Sequence, residues 1–178
     1  VGQALNVLGD SAPSEIAEVH SLYSTVDFDK IDIIVVMYDA ADYLMGHSMY
    51  NSDNPTDIQT FTGNLTAGLE MMQQYHPNTR IIVMSPPYAF SSERDENGNY
   101  VSSDIVKYNG SALSEFAIQE AYICGQMQIT FVDNIYGTFN ENNASDYLTD
   151  NLHLNAEGRR KVAEHLVEAI NYYNSFYE

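Results

Sequence analysis

The sequence predicts a three-layer α/β fold, a parallel sheet flanked by helices. Two observations carry that prediction. Residues 31–37, 80–85 and 128–133 are near-continuous runs of β-branched and aliphatic residues, as expected of strands buried on both faces. The segments between and after them place apolar residues at steps of three and four, the period of a helix with one buried face. Strands alternating with helices imply right-handed crossovers and a parallel sheet. The length of 178 residues fits one domain, 1–178.

The elements follow in order. Ile16, Val19 and Leu22 suggest a short helix, with Ser14 at its start. The run 31–37 is the first clear strand. Ile58, Phe61, Leu65, Leu69 and Met72 mark a long helix. The run 80–85 is a second strand, stopped by Pro86-Pro87. Residues 91–108 are polar and contain Asn97-Gly98, so they read as a surface loop or hairpin. Leu113, Phe116, Ala117, Ala121 and Cys124 mark another helix, 128–133 a third strand, and Val162, Leu166, Val167 and Ile170 the last helix. A sheet of three strands is thin for such a domain and leaves an exposed edge, so a further N-terminal piece or a partner chain is expected to cover it.

Composition narrows the partners. Seven Lys and Arg stand against 25 Asp and Glu, a formal charge of −18. Such a surface repels nucleic-acid phosphates and anionic headgroups and favours neutral or cationic ligands. No run of about 18 apolar residues is present, so membrane insertion is not expected. Cys124 is the only cysteine, which excludes an internal disulfide and a thiolate metal site; the thiol reads as core. The histidines show no metal-ligand spacing and no glycine-rich phosphate loop is present, so neither metal nor organic cofactor is implied. The chain opens on Val1-Gly2 without a methionine and reads as a mature or trimmed product. Fourteen tyrosines with many Asn, Asp and Ser point to an extracellular or cell-surface setting and a carbohydrate-facing role.

In parallel α/β sheets, chemistry collects in the loops beyond the carboxyl ends of the strands. That places residues 38–43, 85–90 and 134–153 near a site. The last of these contains Asp150-Asn-Leu-His153, followed by Leu154, Asn155 and Gly158 ahead of the final helix. A turn brings residues i and i+3 within about 7 Å, close enough for the Asp150 carboxylate to hold one nitrogen of His153 and leave the other facing outward. An imidazole held that way is a general base for a hydroxyl. His47, after Met45-Gly46, lies in a loop where it would line a substrate pocket. Tyr43, Tyr88 and Tyr136 fall in site-facing loops, where they would form an aromatic wall.

The segment 150–158 resembles the last block of the SGNH (GDSL-type) hydrolases, bacterial members included. These are serine esterases and lipase-like acyl hydrolases on a flavodoxin-like α/β fold. The resemblance implies that Asp150 and His153 are two members of a catalytic triad. It also implies a substrate and oxyanion loop after the first strand seen here, at Asp39-Ala40-Ala41-Asp42-Tyr43. Asp39 stands there where the family has glycine, and Ala41 where it has an asparagine donor; Asp42 and Tyr43 fit. The nucleophile remains open. Gly9-Asp10-Ser11 is literally the family's serine word, but only 28 positions separate Ser11 from Asp39, too few for the helix, strand and helix expected between them. The other alignment puts residues 1–5 at the second block, makes the Gly2 N–H an oxyanion donor, and places the first strand and its serine upstream. On that alignment the chain covers the C-terminal three quarters of the domain. The resemblance implies hydrolysis of neutral O-acyl esters on a small molecule or acetylated carbohydrate. The altered loop suggests the alternative of a catalytically impaired relative that binds a glycan or protein partner at the cell surface.

Overall fold

The computed structural model describes residues 21–22 and 25–174. A short 3-10 turn at Phe28–Lys30 leads into β1 (Ile33–Met37), then the one-turn helix α1 (Ala41–Leu44) and the long helix α2 (Phe61–Tyr75). Next come β2 (Arg80–Met84) and a hairpin of β3 (Phe90–Arg94) and β4 (Tyr100–Ser102). They are followed by α3 (Leu113–Met127), β5 (Thr130–Val132), the short α4 (Ala144–Tyr147) and α5 (Ala156–Asn174).

Among the described residues the main sheet runs β1-β2-β5, and both pairings are parallel. Central β2 shows why three layers form. Its side chains alternate across the sheet. Ile81 and Val83 join Leu65, Leu69, Phe116 and Cys124 on the face covered by α2 and α3. Ile82 and Met84 join Val132 on the opposite face, beneath Val162, Leu166 and Ile170 of α5. Each of these buried aliphatic side chains contributes about 1.5–3 kcal/mol, so the strand cannot slip register without losing several at once. The α/β sandwich expected from the sequence is therefore present.

Local chemistry sets the element ends. The Thr60 hydroxyl accepts from the Gly63 N–H at 3.2 Å and caps α2. That leaves Ile58 outside the helix and 60% exposed, so the predicted stripe begins one turn later, at Phe61. Ile31, expected in the first strand, instead closes the 3-10 turn by donating to the Phe28 carbonyl. The polar stretch after β2 is the β3–β4 hairpin, whose tip turns at Gly98 with φ +83°, a backbone angle that favours glycine.

One contact orients the last helix. The Arg80 guanidinium at the amino end of β2 donates to the Ala169 carbonyl near the end of α5 at 3.0 Å. Helix α5 therefore runs from the carboxyl edge of the sheet toward its amino edge, and the loop before it lies at the carboxyl edge.

Among the described residues β1 pairs with β2 alone, and its Val35 and Met37 are each 41% exposed. No helix among the described residues is long and apolar enough to cross a membrane. The predicted helix at 14–22, the Gly9-Asp10-Ser11 word and Gly2 lie outside the described residues, apart from Ser21 and Leu22.

Candidate active site

Residues 148–154 form a miniature hairpin just ahead of α5. An isolated bridge joins Leu148 to Leu154, and the Thr149 N–H donates to the His153 carbonyl at 2.8 Å. Asp150 sits at its tip. One carboxylate oxygen accepts the backbone N–H of Leu152 at 2.8 Å and of His153 at 2.7 Å. The other meets His153 Nδ1 at 2.7 Å. A carboxylate only accepts, so Nδ1 carries the proton and Nε2 presents its lone pair. Nε2 makes no hydrogen bond among the described residues, and the side chain is 73% exposed. The two backbone donors, followed by the imidazole, hold Asp150 down at about 2. It therefore stays ionised wherever the imidazole is neutral, and the tautomer is locked.

The start of α5 fixes this hairpin from behind. Asn155 caps the helix by accepting the Gly158 N–H at 2.9 Å, and its amide donates to the Asp146 carbonyl at 2.8 Å. Gly158 is inside the first turn of α5, not ahead of it. A Cβ there would lie 2.6 Å from the Tyr147 carbonyl oxygen and 2.7 Å from Leu154 Cδ2, so only glycine lets helix and hairpin meet. On its other side the loop is tied to β3: the Phe90 N–H donates to the Asn151 carbonyl at 2.8 Å.

A buried polar chain braces the strand ends beneath. The Asn134 amide donates to the Ser85 carbonyl at 2.6 Å, and its backbone N–H donates to Ser85 Oγ at 2.9 Å. Its remaining oxygen lies 3.2 Å from His165 Nδ1, and His165 Nε2 lies 3.0 Å from Thr138 Oγ1. The amide orientation makes Nδ1 the donor. His165 on α5 thus spends both nitrogens on Asn134 and Thr138, and through Asn134 it is tied to Ser85 at the end of β2.

The loop after β1 departs from expectation. Asp39 Oδ1 accepts the Ala41 N–H at 2.8 Å, so neither the side chain nor the backbone of Ala41 offers a free donor. Tyr43, expected to face substrate, is 1% exposed, packs on Tyr108 and Phe116, and gives its hydroxyl to the Val106 carbonyl at 2.9 Å. Its ring fills the core because the one-turn helix α1 rotates it inward. Tyr88 is likewise buried, bonded to Ser102 Oγ at 2.7 Å; only Tyr136 of the expected aromatic wall is exposed. Asp42 does reach solvent, and it pairs with His47 Nδ1 at 2.8 Å. Sequence reasoning had both residues near the site but not their contact, because five positions is no diagnostic spacing in an irregular loop.

Glu120 was also missed. It lies on the buried face of α3 and is fully buried, and neither carboxyl oxygen has a hydrogen-bond partner among the described residues. Burial, then Asp133 and Asp42, push it up to about 8, so it is a neutral acid at pH 7. The signal was present: position 120 continues the step from Leu113 through Phe116 and Ala117 to Cys124. Cys124 itself is buried, and burial with Glu120 pushes its thiol up to about 12, which rules it out as a nucleophile at neutral pH. The described residues contain no group of three or more His, Cys, Asp or Glu able to hold a metal ion.

Comparison with known proteins bears on this geometry. The model of the GDSL-like lipase/acylhydrolase family matches residues 1–166. No curated protein matches the chain. Among solved structures, a protein from Lactobacillus plantarum superposes with a TM-score of 0.68 at 21% identity, covering 85% of this chain and 71% of that one. A possible lipase from Chitinophaga pinensis gives 0.64 at 17% identity, covering 80% of this chain and 73% of that one. At such identities the two structures establish the shared fold.

Proposed function

The chain belongs to the GDSL-like lipase/acylhydrolase family, and from that premise we propose that it is a serine ester hydrolase acting on neutral O-acyl esters, with His153 as general base. The observation that carries this reading is the 2.7 Å contact between His153 Nδ1 and Asp150, with Nε2 left free at the carboxyl edge of the sheet.

The chemistry runs in two balanced halves. Nε2 takes the proton of a serine hydroxyl as its oxygen attacks the ester carbonyl. The imidazolium then returns that proton to the departing alcohol as the acyl–oxygen bond breaks. Water repeats the sequence on the acyl-enzyme, releasing the acid and the serine. Asp150 keeps the ring in the tautomer this requires and stabilises the imidazolium.

Ser11 and a serine upstream of Val1 are the two candidates for the nucleophile, and the Gly2 N–H is the proposed oxyanion donor. The missing asparagine at position 41 removes one donor, a deficit of about 100- to 1,000-fold in rate for this class of interaction. That deficit favours a second reading, a slow or silent relative that binds an ester or glycan without turning it over.

Fluorophosphonate labelling separates the two, because only an activated serine reacts. The full-length gene product is expected to label at one serine, found by peptide mass mapping, and His153→Ala to suppress it. Absence of labelling in the unaltered protein would leave only the binding role.

A further inference from the structure

Across the same edge of the sheet lies a cavity of about 370 Å³ between the loop after β1 and the first turn of α2. We propose that this cavity, lined by Tyr38, Asp42, His47, Gln59 and Asn64, binds a neutral hydroxyl-bearing ring, such as a pyranoside, as the carrier of the scissile ester. The proposal rests on the hydrolase reading for the ester, but not for the binding.

Size comes first. The volume lies within the roughly 300–1,000 Å³ of small-ligand sites. Its wall is divided in two. Tyr38, Ile58 and the edges of Phe61 and Leu65 supply apolar surface, and Tyr38 and Ile58 are 43% and 60% exposed. An aromatic face beside an aliphatic one suits the C–H face of a sugar ring.

Opposite them stand polar groups with capacity to spare. Asp42 uses one oxygen on His47 Nδ1, and its second has no hydrogen-bond partner among the described residues. His47 Nε2 is equally unpaired there, as is the Gln59 side-chain amide. Asn64 donates to the Ile58 carbonyl across a long 3.4 Å, which leaves its own oxygen open. Burial, with Asp42 and then Glu120, pushes the Tyr38 phenol up, so it remains a neutral donor. Donors and acceptors in about equal supply, fixed on both sides of an apolar strip, match alternating hydroxyls.

Charge excludes the competitors. No lysine or arginine lines the cavity and the chain carries −18, so phosphate or carboxylate ligands meet no compensating cation. A quaternary ammonium would want an aromatic cage. Here one aromatic face is open and Phe61 is 8% exposed, so no cage is formed.

Position links the cavity to the dyad. The ends of β1 and β5 are two strand spacings apart, about 10 Å. On this proposal a ring seated beside β1 carries its acyl group toward the His153 loop at the same edge.

Methyl β-xylopyranoside and methyl α-glucopyranoside carry no ester, so their binding reads the cavity independently of hydrolysis. The full chain is titrated with each by ligand-observed NMR, with tetramethylammonium chloride and inorganic phosphate in parallel. Saturable glycoside binding is expected, weakened about tenfold in Asn64→Ala for one lost hydrogen bond and weakened likewise in His47→Gln, with thermal melts verifying both folds. Failure of both glycosides to saturate overturns the proposal. So does saturation by tetramethylammonium or phosphate in their place, or glycoside binding indifferent to both substitutions. Glycoside binding that persists while ester hydrolysis fails supports the cavity and counts only against the hydrolase reading.

Discussion

Asp150 is an exposed residue that behaves like a built one. Two backbone N–H groups and one imidazole converge on its carboxylate within 2.8 Å, and that convergence holds it at about 2. The i, i+3 spacing made this contact legible from the sequence, since a turn leaves those two side chains little else to meet. Glu120 is the opposite case. It is a carboxyl with no partner among the described residues, beneath the loop that carries Asp42. Its folded value of about 8 lies above its ordinary 4.5. The folded chain therefore holds a proton that the unfolded chain has released, and stability falls as pH rises from 4.5 through 8. Glu120→Gln removes that dependence. The urea midpoint of the unaltered protein is expected to drop relative to Glu120→Gln between pH 5 and pH 8.5; a constant difference across that span would contradict the assignment. A buried acid escapes sequence reading because charge argues for solvent while helical phase argues for the core, and only packing decides.

The decisive element is the joint between the 148–154 hairpin and α5. Its parts were partly readable. Asn155 caps the helix as its residue type suggests, whereas the Leu148–Leu154 bridge depends on a tertiary fit no local pattern encodes. Gly158 is where the two meet. Alanine there would press its Cβ against the Tyr147 carbonyl and Leu154, and a backbone oxygen cannot swing aside as a side chain can. Gly158→Ala is expected to cost about 1–3 kcal/mol in urea unfolding, the usual range for overpacking. It should also lower ester turnover in the folded fraction by displacing His153. Unchanged stability would show that hairpin and helix are not wedged as described. Elsewhere the strands were legible because β2 is covered on both faces and therefore apolar throughout. The start of α2 was not, since the Thr60 cap outweighs the apolar step that seemed to begin at Ile58. Tyr43 misled for a related reason: its loop is site-facing, but α1 turns that one side chain inward.

At the scale of the molecule, three loops from β1, β2 and β5 gather at one edge of a parallel sheet, as such sheets dictate. They bring two imidazole–carboxylate pairs to that edge, His153 with Asp150 and His47 with Asp42. The edge was foreseeable from alternating strands and helices; the second pair was not, because it depends on how an irregular loop folds back. On the two proposals, roles divide between the pairs, the first for proton transfer and the second for holding the carrier. Hydrolysis of p-nitrophenyl acetate by the full-length gene product tests the central assignment directly, with kcat/KM followed against pH for the unaltered protein and for His153→Ala. The account predicts a loss of at least about 100-fold in His153→Ala, the lower bound for removing a general base. Equal rates and superimposable profiles for the two proteins would contradict it.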